Sequence, residues 1–263
     1  MTTSTRCWRR YMTVAVDKRA VAAAFGRAAH SYDDFAALQR QSAQRLAEHC
    51  GAQGVTTVLD AGCGTGAGGL DWRARGCDVT AFDLSPAMLA RARERHAAHR
   101  YVQGDIEALP FAEGSFDLVW SNLAVQWCQS LSGALAGMLR VARPGGRVAF
   151  STLAHGSLGE LHQAWAAVDD RPHANHFASP EAVLAAAPAA RMTLRQHPVT
   201  LLFGDALSAM QSLKGIGATH LHAGRDSRTL TRRELRMLED AWPRQDGRFP
   251  LTYQLISGVI ERD

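Results

Sequence analysis

Val58-Leu59-Asp60-Ala61-Gly62-Cys63-Gly64-Thr65-Gly66 is the stretch whose reading decides the fold. A hydrophobic run ends in an acid, and glycines follow at alternate positions. The pattern predicts a buried strand that breaks into a tight turn, where a ligand lies against backbone with no side chain in the way. A dinucleotide-binding turn spaces its glycines G-x-G-x-x-G and rests a pyrophosphate on the following helix N-terminus. Here the glycines are Gly62, Gly64 and Gly66, and Asp60 stands just before the turn. An anion at that point repels a pyrophosphate and suits a ligand with an ammonium group, which favours S-adenosylmethionine (SAM) over NAD.

Working outward, Cys77-Asp78-Val79-Thr80-Ala81-Phe82-Asp83 is strand-like and ends in an acid, with Leu84 behind it. Asp83 is placed to take both hydroxyls of a ribose, a role shared by NAD and SAM sites. Asp105, followed by Ile106, comes after the strand-like Tyr101-Val102, where an adenine amino group would donate to it. Ser115-Phe116-Asp117-Leu118-Val119-Trp120-Ser121-Asn122 reads as a fourth strand running into a polar loop. Acids ending successive strands on one carboxyl edge form a joint signal that none of them carries alone.

These residues resemble the class I SAM-dependent methyltransferases. Val141-Ala142-Arg143-Pro144-Gly145-Gly146-Arg147, a turn after an amphipathic helix that feeds the strand 147–151, strengthens the match. Arg143 is read as a helix C-terminal cation that complements the dipole, ahead of a substrate role. The resemblance implies an α/β Rossmann-like sheet, mostly parallel with an antiparallel final strand, plus N-terminal helices and a helical cap.

Composition sets bounds on that reading. The chain has 263 residues, 46% of them hydrophobic, enough to bury a full core in one domain with embellishments. No apolar run approaches the ~18 residues of a membrane span. The cysteines (Cys7, Cys50, Cys63, Cys77, Cys128) are odd in number, widely spaced and free of any C-x-x-C pair, which argues for a reducing cytoplasm. His220 and His222 have no Cys or Glu to complete a metal set, so no metal is expected. The net charge of +4 is modest, and part of it lies in Arg6, Arg9 and Arg10 beside Trp8. That leader lacks the apolar stretch of a signal peptide and reads as a disordered tail, with Met12 a plausible alternative start.

Along the chain, 1–15 is expected to be a disordered extension and 16–263 a single domain. Within it, 16–50 is a helical lid with a break at Gly26, and 51–155 the SAM-binding core. A helical cap with one core strand over 156–245 covers the sheet's carboxyl edge, and 246–263 holds the final strand. Ser85-Pro86 opens a helix with a serine cap and proline at the first helical position.

Outside the cofactor half, the sequence resembles one family closely. Val21-Ala22-Ala23-Ala24-Phe25-Gly26-Arg27-Ala28-Ala29-His30-Ser31-Tyr32 and Trp120-Ser121-Asn122-Leu123-Ala124-Val125-Gln126-Trp127-Cys128 are similar to the malonyl-[acyl-carrier protein] O-methyltransferases of biotin synthesis. So are Arg171-Pro172-His173-Ala174-Asn175 and, most specifically, Leu213-Lys214-Gly215-Ile216-Gly217-Ala218-Thr219-His220-Leu221-His222. The resemblance runs from about Val16 to Arg262. It implies methylation of the free carboxylate of malonyl held on acyl carrier protein, or as malonyl-CoA, to prime pimeloyl synthesis. A carboxylate is ionised at pH 7 and the sulfonium activates its own methyl, so no general base is required. Catalysis then rests on alignment and exclusion of water.

The resemblance assigns roles as follows. Tyr32, with Phe25, covers the methyl and touches the acceptor, and Asn122, Gln126 and Trp127 surround the transfer. The malonyl carboxylate is held by Arg225 first, with Lys214 and His220 behind it, because a guanidinium binds a carboxylate bidentately. Each also has a plainer reading as a packing, turn or solvated position. Arginines 225, 228, 232, 233 and 236 would steer an acidic carrier, or form a solvated face balanced by nearby acids. A monomer without nucleic-acid or membrane partners is expected. A SAM enzyme acting on another small acceptor, and a SAM-binding module without catalysis, remain as alternatives.

Overall fold

The strand pleat sends successive side chains to opposite faces, and here both faces are covered. The computed structural model describes residues 15–188, 190–216 and 230–263. The basic leader and the segment holding His220, His222, Arg225 and Arg228 lie outside the described residues. Strands β1 (Thr57–Ala61), β2 (Asp78–Asp83), β3 (Arg100–Gln103), β4 (Phe116–Ser121), β5 (Ala142–Leu153), β6 (Met192–Phe203) and β7 (Phe249–Glu261) form one sheet ordered β3-β2-β1-β4-β5-β7-β6. The pairings from β3 to β5 are parallel, and β7 runs antiparallel to both β5 and β6.

Val58, Val79, Ala81, Leu118 and Trp120 point to one face, where they meet α3 (Ala37–Cys50), α4 (Ala67–Ala74) and α5 (Pro86–Glu94). Leu59, Ala61, Phe82, Val119 and Phe150 point to the other, against α6 (Leu131–Val141) and Val183 of α8 (Pro180–Ala185). Ser85 caps α5, accepting from Met88 N, and Pro86 opens it.

The N-terminal segment forms α1 (Lys18–Ala28) and the short α2 (Tyr32–Phe35) before α3. The expected break at Gly26 is corrected: α1 runs through it and ends near Ala29. A Cβ at Gly26 would lie 3.4 Å from Ser85 Oγ and 3.6 Å from Ala87 Cβ at the start of α5, ordinary contact distances, so neither space nor backbone angle requires glycine there.

β5 pairs with β7 only as far as Leu153 opposite Leu255, so the first residues of β7 and the last of β6 project beyond the carboxyl edge. On this projection pack α7 (Gly159–Ala166), α9 (Ala206–Gly215) and α10 (Arg232–Ala241), through Leu161, Ala209, Leu238, Trp242, Leu251 and Tyr253. Helices α7, α9 and α10 are therefore mounted on an antiparallel strand pair that rises past the sheet, while α8 packs on the sheet face.

Candidate active site

The strand order reverses between β1 and β4, and an open α/β sheet splits its covering loops at such a point. A cavity of about 620 Å³, counted out to its mouth, opens there. Its floor comes from residues that follow consecutive strands: Gly62 and Gly64 after β1, Asp83 and Leu84 at β2, Asp105 and Ile106 after β3, and Asn122 after β4.

The glycines have different reasons for being there. Gly62 has φ +79°, and a Cβ on it would come within 2.3 Å of Ala124 Cβ. Gly64 has φ +54°, and a Cβ on it would meet nothing within 4 Å. The space above Gly64 is therefore the cavity itself, a cradle that a side chain would fill. Asp83 is fixed beside it, with Oδ2 accepting from Gly64 N at 2.9 Å and Oδ1 from Ser85 N at 2.8 Å. Burial raises the Asp83 carboxyl above its ordinary range, and these bonds work against that rise. Asp105 Oδ1 accepts from Lys18 Nζ at 3.0 Å and from Glu107 N at 3.1 Å. Floor, carboxylate pair and open cradle fit the ribose, adenine and amino-acid parts of SAM.

The roof comes from the N-terminal helices. Lys18, Val21 and Phe25 of α1 and Tyr32 of α2 line the cavity, and Phe25 meets Trp127 edge-on at 5.2 Å. Burial, with Asp83 and Asp33 nearby, raises the Tyr32 phenol far above its usual range, so its hydroxyl stays protonated. A hydrogen bond with the Gln39 side chain opposes that rise. Asp33 ties α2 to the glycine turn, accepting from Thr65 Oγ1 at 2.7 Å and from Arg95 at 2.8 Å. Cys128 also lines the cavity, but burial pushes its thiol up to about 12, so it is not a thiolate nucleophile.

The cavity gathers Phe25, Tyr32, Gly62, Gly64, Asp83, Leu84, Asp105, Ile106, Asn122 and Trp127 of the residues expected from sequence, and leaves others out. Asp60 is a correction. It pairs with Trp120 across β1 and β4 and shares its face of the pleat, so its carboxylate lies under α4, accepting from Gly69 N. Gly66 caps α4 with φ +88°, and a Cβ there would come within 2.3 Å of Ala97 Cβ; it serves packing. Gln126 is not in the lining, and its Oε1 is buried with no hydrogen-bond partner among the described residues. Lys214 is exposed on the last turn of α9 and is not in the lining. Arg225 and His220 lie outside the described residues.

Asn122 lines the cavity with its carboxamide already engaged. Its Oδ1 accepts from Ser42 Oγ at 2.7 Å and Ser151 Oγ at 2.8 Å, and its Nδ2 donates to Gln39 O at 3.0 Å. Leu123 follows with φ +52°, a backbone strain held by its N–H to Ser151 Oγ at 2.9 Å. Lys18 was missed as a site residue. Its signal was present, because Lys18, Val21 and Phe25 share one helical face.

Comparison with known proteins agrees with this geometry. The family described as a methyltransferase domain matches residues 59–150. A Bacillus halodurans protein of known structure superposes with a TM-score of 0.60 over 84% of this chain and 99% of its own, at 18% identity, a likeness of fold alone. The malonyl-[acyl-carrier protein] O-methyltransferase of Pseudescherichia vulneris is 60% identical over 94% of this chain and 99% of its own length. That of Enterobacter lignolyticus is 57% identical over the same shares. At these identities and coverages, the chain belongs to the malonyl-[acyl-carrier protein] O-methyltransferase family.

Proposed function

We propose that this protein transfers the methyl group of SAM to the free carboxylate of malonyl-acyl carrier protein, giving the methyl ester that primes pimeloyl synthesis for biotin. The observation that carries the reading is the 60% identity over 94% of the chain, which takes in the acceptor-side segments as well as the cofactor half. SAM supplies a methyl already activated by its sulfonium, and the acceptor carboxylate is ionised at neutral pH. The protein's part is to bind, align and keep water out.

Asp83 receives the ribose hydroxyls, Asp105 the adenine amino group, and the open backbone at Gly64 the amino-acid end. Phe25 and Trp127 close over the reacting end, and protonated Tyr32 donates to the acceptor. The acceptor carboxylate needs a cation. Among the described residues Lys18 is the only one lining the cavity, and Asp105 at 3.0 Å and Glu107 at 2.5 Å already neutralise it. Arg225 is therefore assigned the clamp. Support comes from Gly215, where a Cβ would fall within 2.1 Å of the Phe35 ring. That close packing brings the end of α9, just before the segment with Arg225, against the helix that carries Tyr32. No helix among the described residues is long and apolar enough to cross a membrane.

The test uses purified protein, methyl-labelled SAM and malonyl-acyl carrier protein, with acetyl-acyl carrier protein as control. Base-labile label on the malonyl carrier alone is expected. Absence of transfer, with SAM binding intact, would return the acceptor to the unknown while leaving the fold in place.

A further inference from the structure

Lys18 stands where three chain segments meet. It opens α1, directly after Asp17, whose carboxylate caps that helix by accepting from Ala20 N at 3.0 Å. Its ammonium bridges two carboxylates of the β3 loop, Asp105 at 3.0 Å and Glu107 at 2.5 Å. Glu107 in turn holds the loop after β4, accepting from Gln129 N at 2.8 Å and Ser130 N at 2.7 Å. Gln129 closes the circuit, its Oε1 accepting from Val16 N at 2.6 Å. The three charged side chains are only 17–31% exposed, so the bridge is partly shielded from water. Burial works against the Lys18 charge, but the Glu107 and Asp105 carboxylates outweigh it and raise the pKa, so the ammonium persists through neutral pH.

We propose that Lys18 is a positioning residue for the cofactor: by bridging Asp105 and Glu107 it latches the N-terminal helix across the adenine end of the cavity and aims Asp105 at the adenine amino group. The inference rests on the SAM reading of the site. The latch is polar and sits at the open N-terminal end of α1, while Val21, Ala24 and Ala28 bury the rest of that helix. The remaining cover, the Phe25–Trp127 contact, lies at the other end of α1's lining face.

The experiment compares wild type with Lys18→Met and Lys18→Arg, reading S-adenosylhomocysteine affinity by calorimetry and steady-state kinetics with malonyl-acyl carrier protein. S-adenosylhomocysteine has no net charge, so salt acts on the latch rather than on ligand charge. Lys18→Met should weaken its binding about tenfold and raise the KM for SAM alike, with kcat and the carrier KM unchanged. Lys18→Arg should restore most of the affinity. Wild-type affinity should fall as salt rises from about 0.05 to 0.5 M, and that of Lys18→Met should stay flat. Wild-type affinity in Lys18→Met would overturn the proposal, as would equal losses in kcat and both KM values that Lys18→Arg does not rescue. Should Lys18→Met fail to fold, a flat salt response of wild type overturns it. Failure of wild type to bind S-adenosylhomocysteine would instead remove the cofactor reading, and this inference with it.

Discussion

Asp60 is 2% exposed, its Oδ2 has no hydrogen-bond partner among the described residues, and Asp83 lies near enough to repel it. Burial first, and Asp83 second, raise its carboxyl from an ordinary 3.8 to about 7, while the Gly69 N–H draws it down. Between those values the native protein holds a proton that the unfolded chain has released, so stability falls as pH rises through this window and levels off above it. Asp60→Asn keeps the acceptor for Gly69 and removes the ionisation. It should gain on wild type by about 2–3 kcal/mol between about pH 5 and pH 8, measured by denaturant unfolding. Parallel pH profiles would mean that Asp60 ionises freely in the native state. The same residue marks a limit of reading sequence. That an acid ends β1 is visible in Val58-Leu59-Asp60, but which face of the pleat it takes depends on Trp120 across the ladder, and that register is a tertiary fact.

At the level of elements, the legible parts were those with a strong local period or cap. β1, β2, β4 and the Ser85-Pro86 start lie within a few residues of where the strand pattern and capping put them. The break in the N-terminal helices was misplaced because one glycine weakens a helix without ending it, and α1 continues through Gly26 to Ala28. Asn122 was legible as a site position but not as a tie between elements, because its partners, Ser42 of α3 and Ser151 of β5, are distant in sequence. Asn122→Ala removes the acceptor shared by Ser42 and Ser151, which keep their bond to each other at 2.9 Å, and leaves the Gln39 carbonyl without its Nδ2 donor, and should lower stability by about 2 kcal/mol. With the variant kept folded, kcat at saturating substrates should stay within about threefold of wild type. A collapse of kcat at an unchanged melting temperature would instead make the carboxamide part of the reacting site.

On the scale of the molecule, the projecting β6–β7 strand pair mounts α10 beyond the sheet edge, through buried Leu238 and Trp242, while Arg232, Arg233 and Arg236 stay exposed. Charge counting makes α10 neutral, since Glu234, Glu239 and Asp240 offset the arginines. Glu234 forms a capping box with Thr231, accepting from its N at 2.8 Å and Oγ1 at 2.7 Å, and so is held at the helix start. The three exposed arginines give this helix a local positive field that suits an acidic carrier, although the helix as a whole is neutral. Replacing the three arginines with glutamine should lower kcat/KM for malonyl-acyl carrier protein about tenfold at low salt. The wild-type value should descend toward that of the variant as salt rises, because screening removes what the substitutions remove. A small malonyl thioester without the carrier should react equally well with both proteins, which separates docking from chemistry. Equal losses on the two acceptors would place the arginines in the reaction itself, and no loss on either would return them to a solvated helix face.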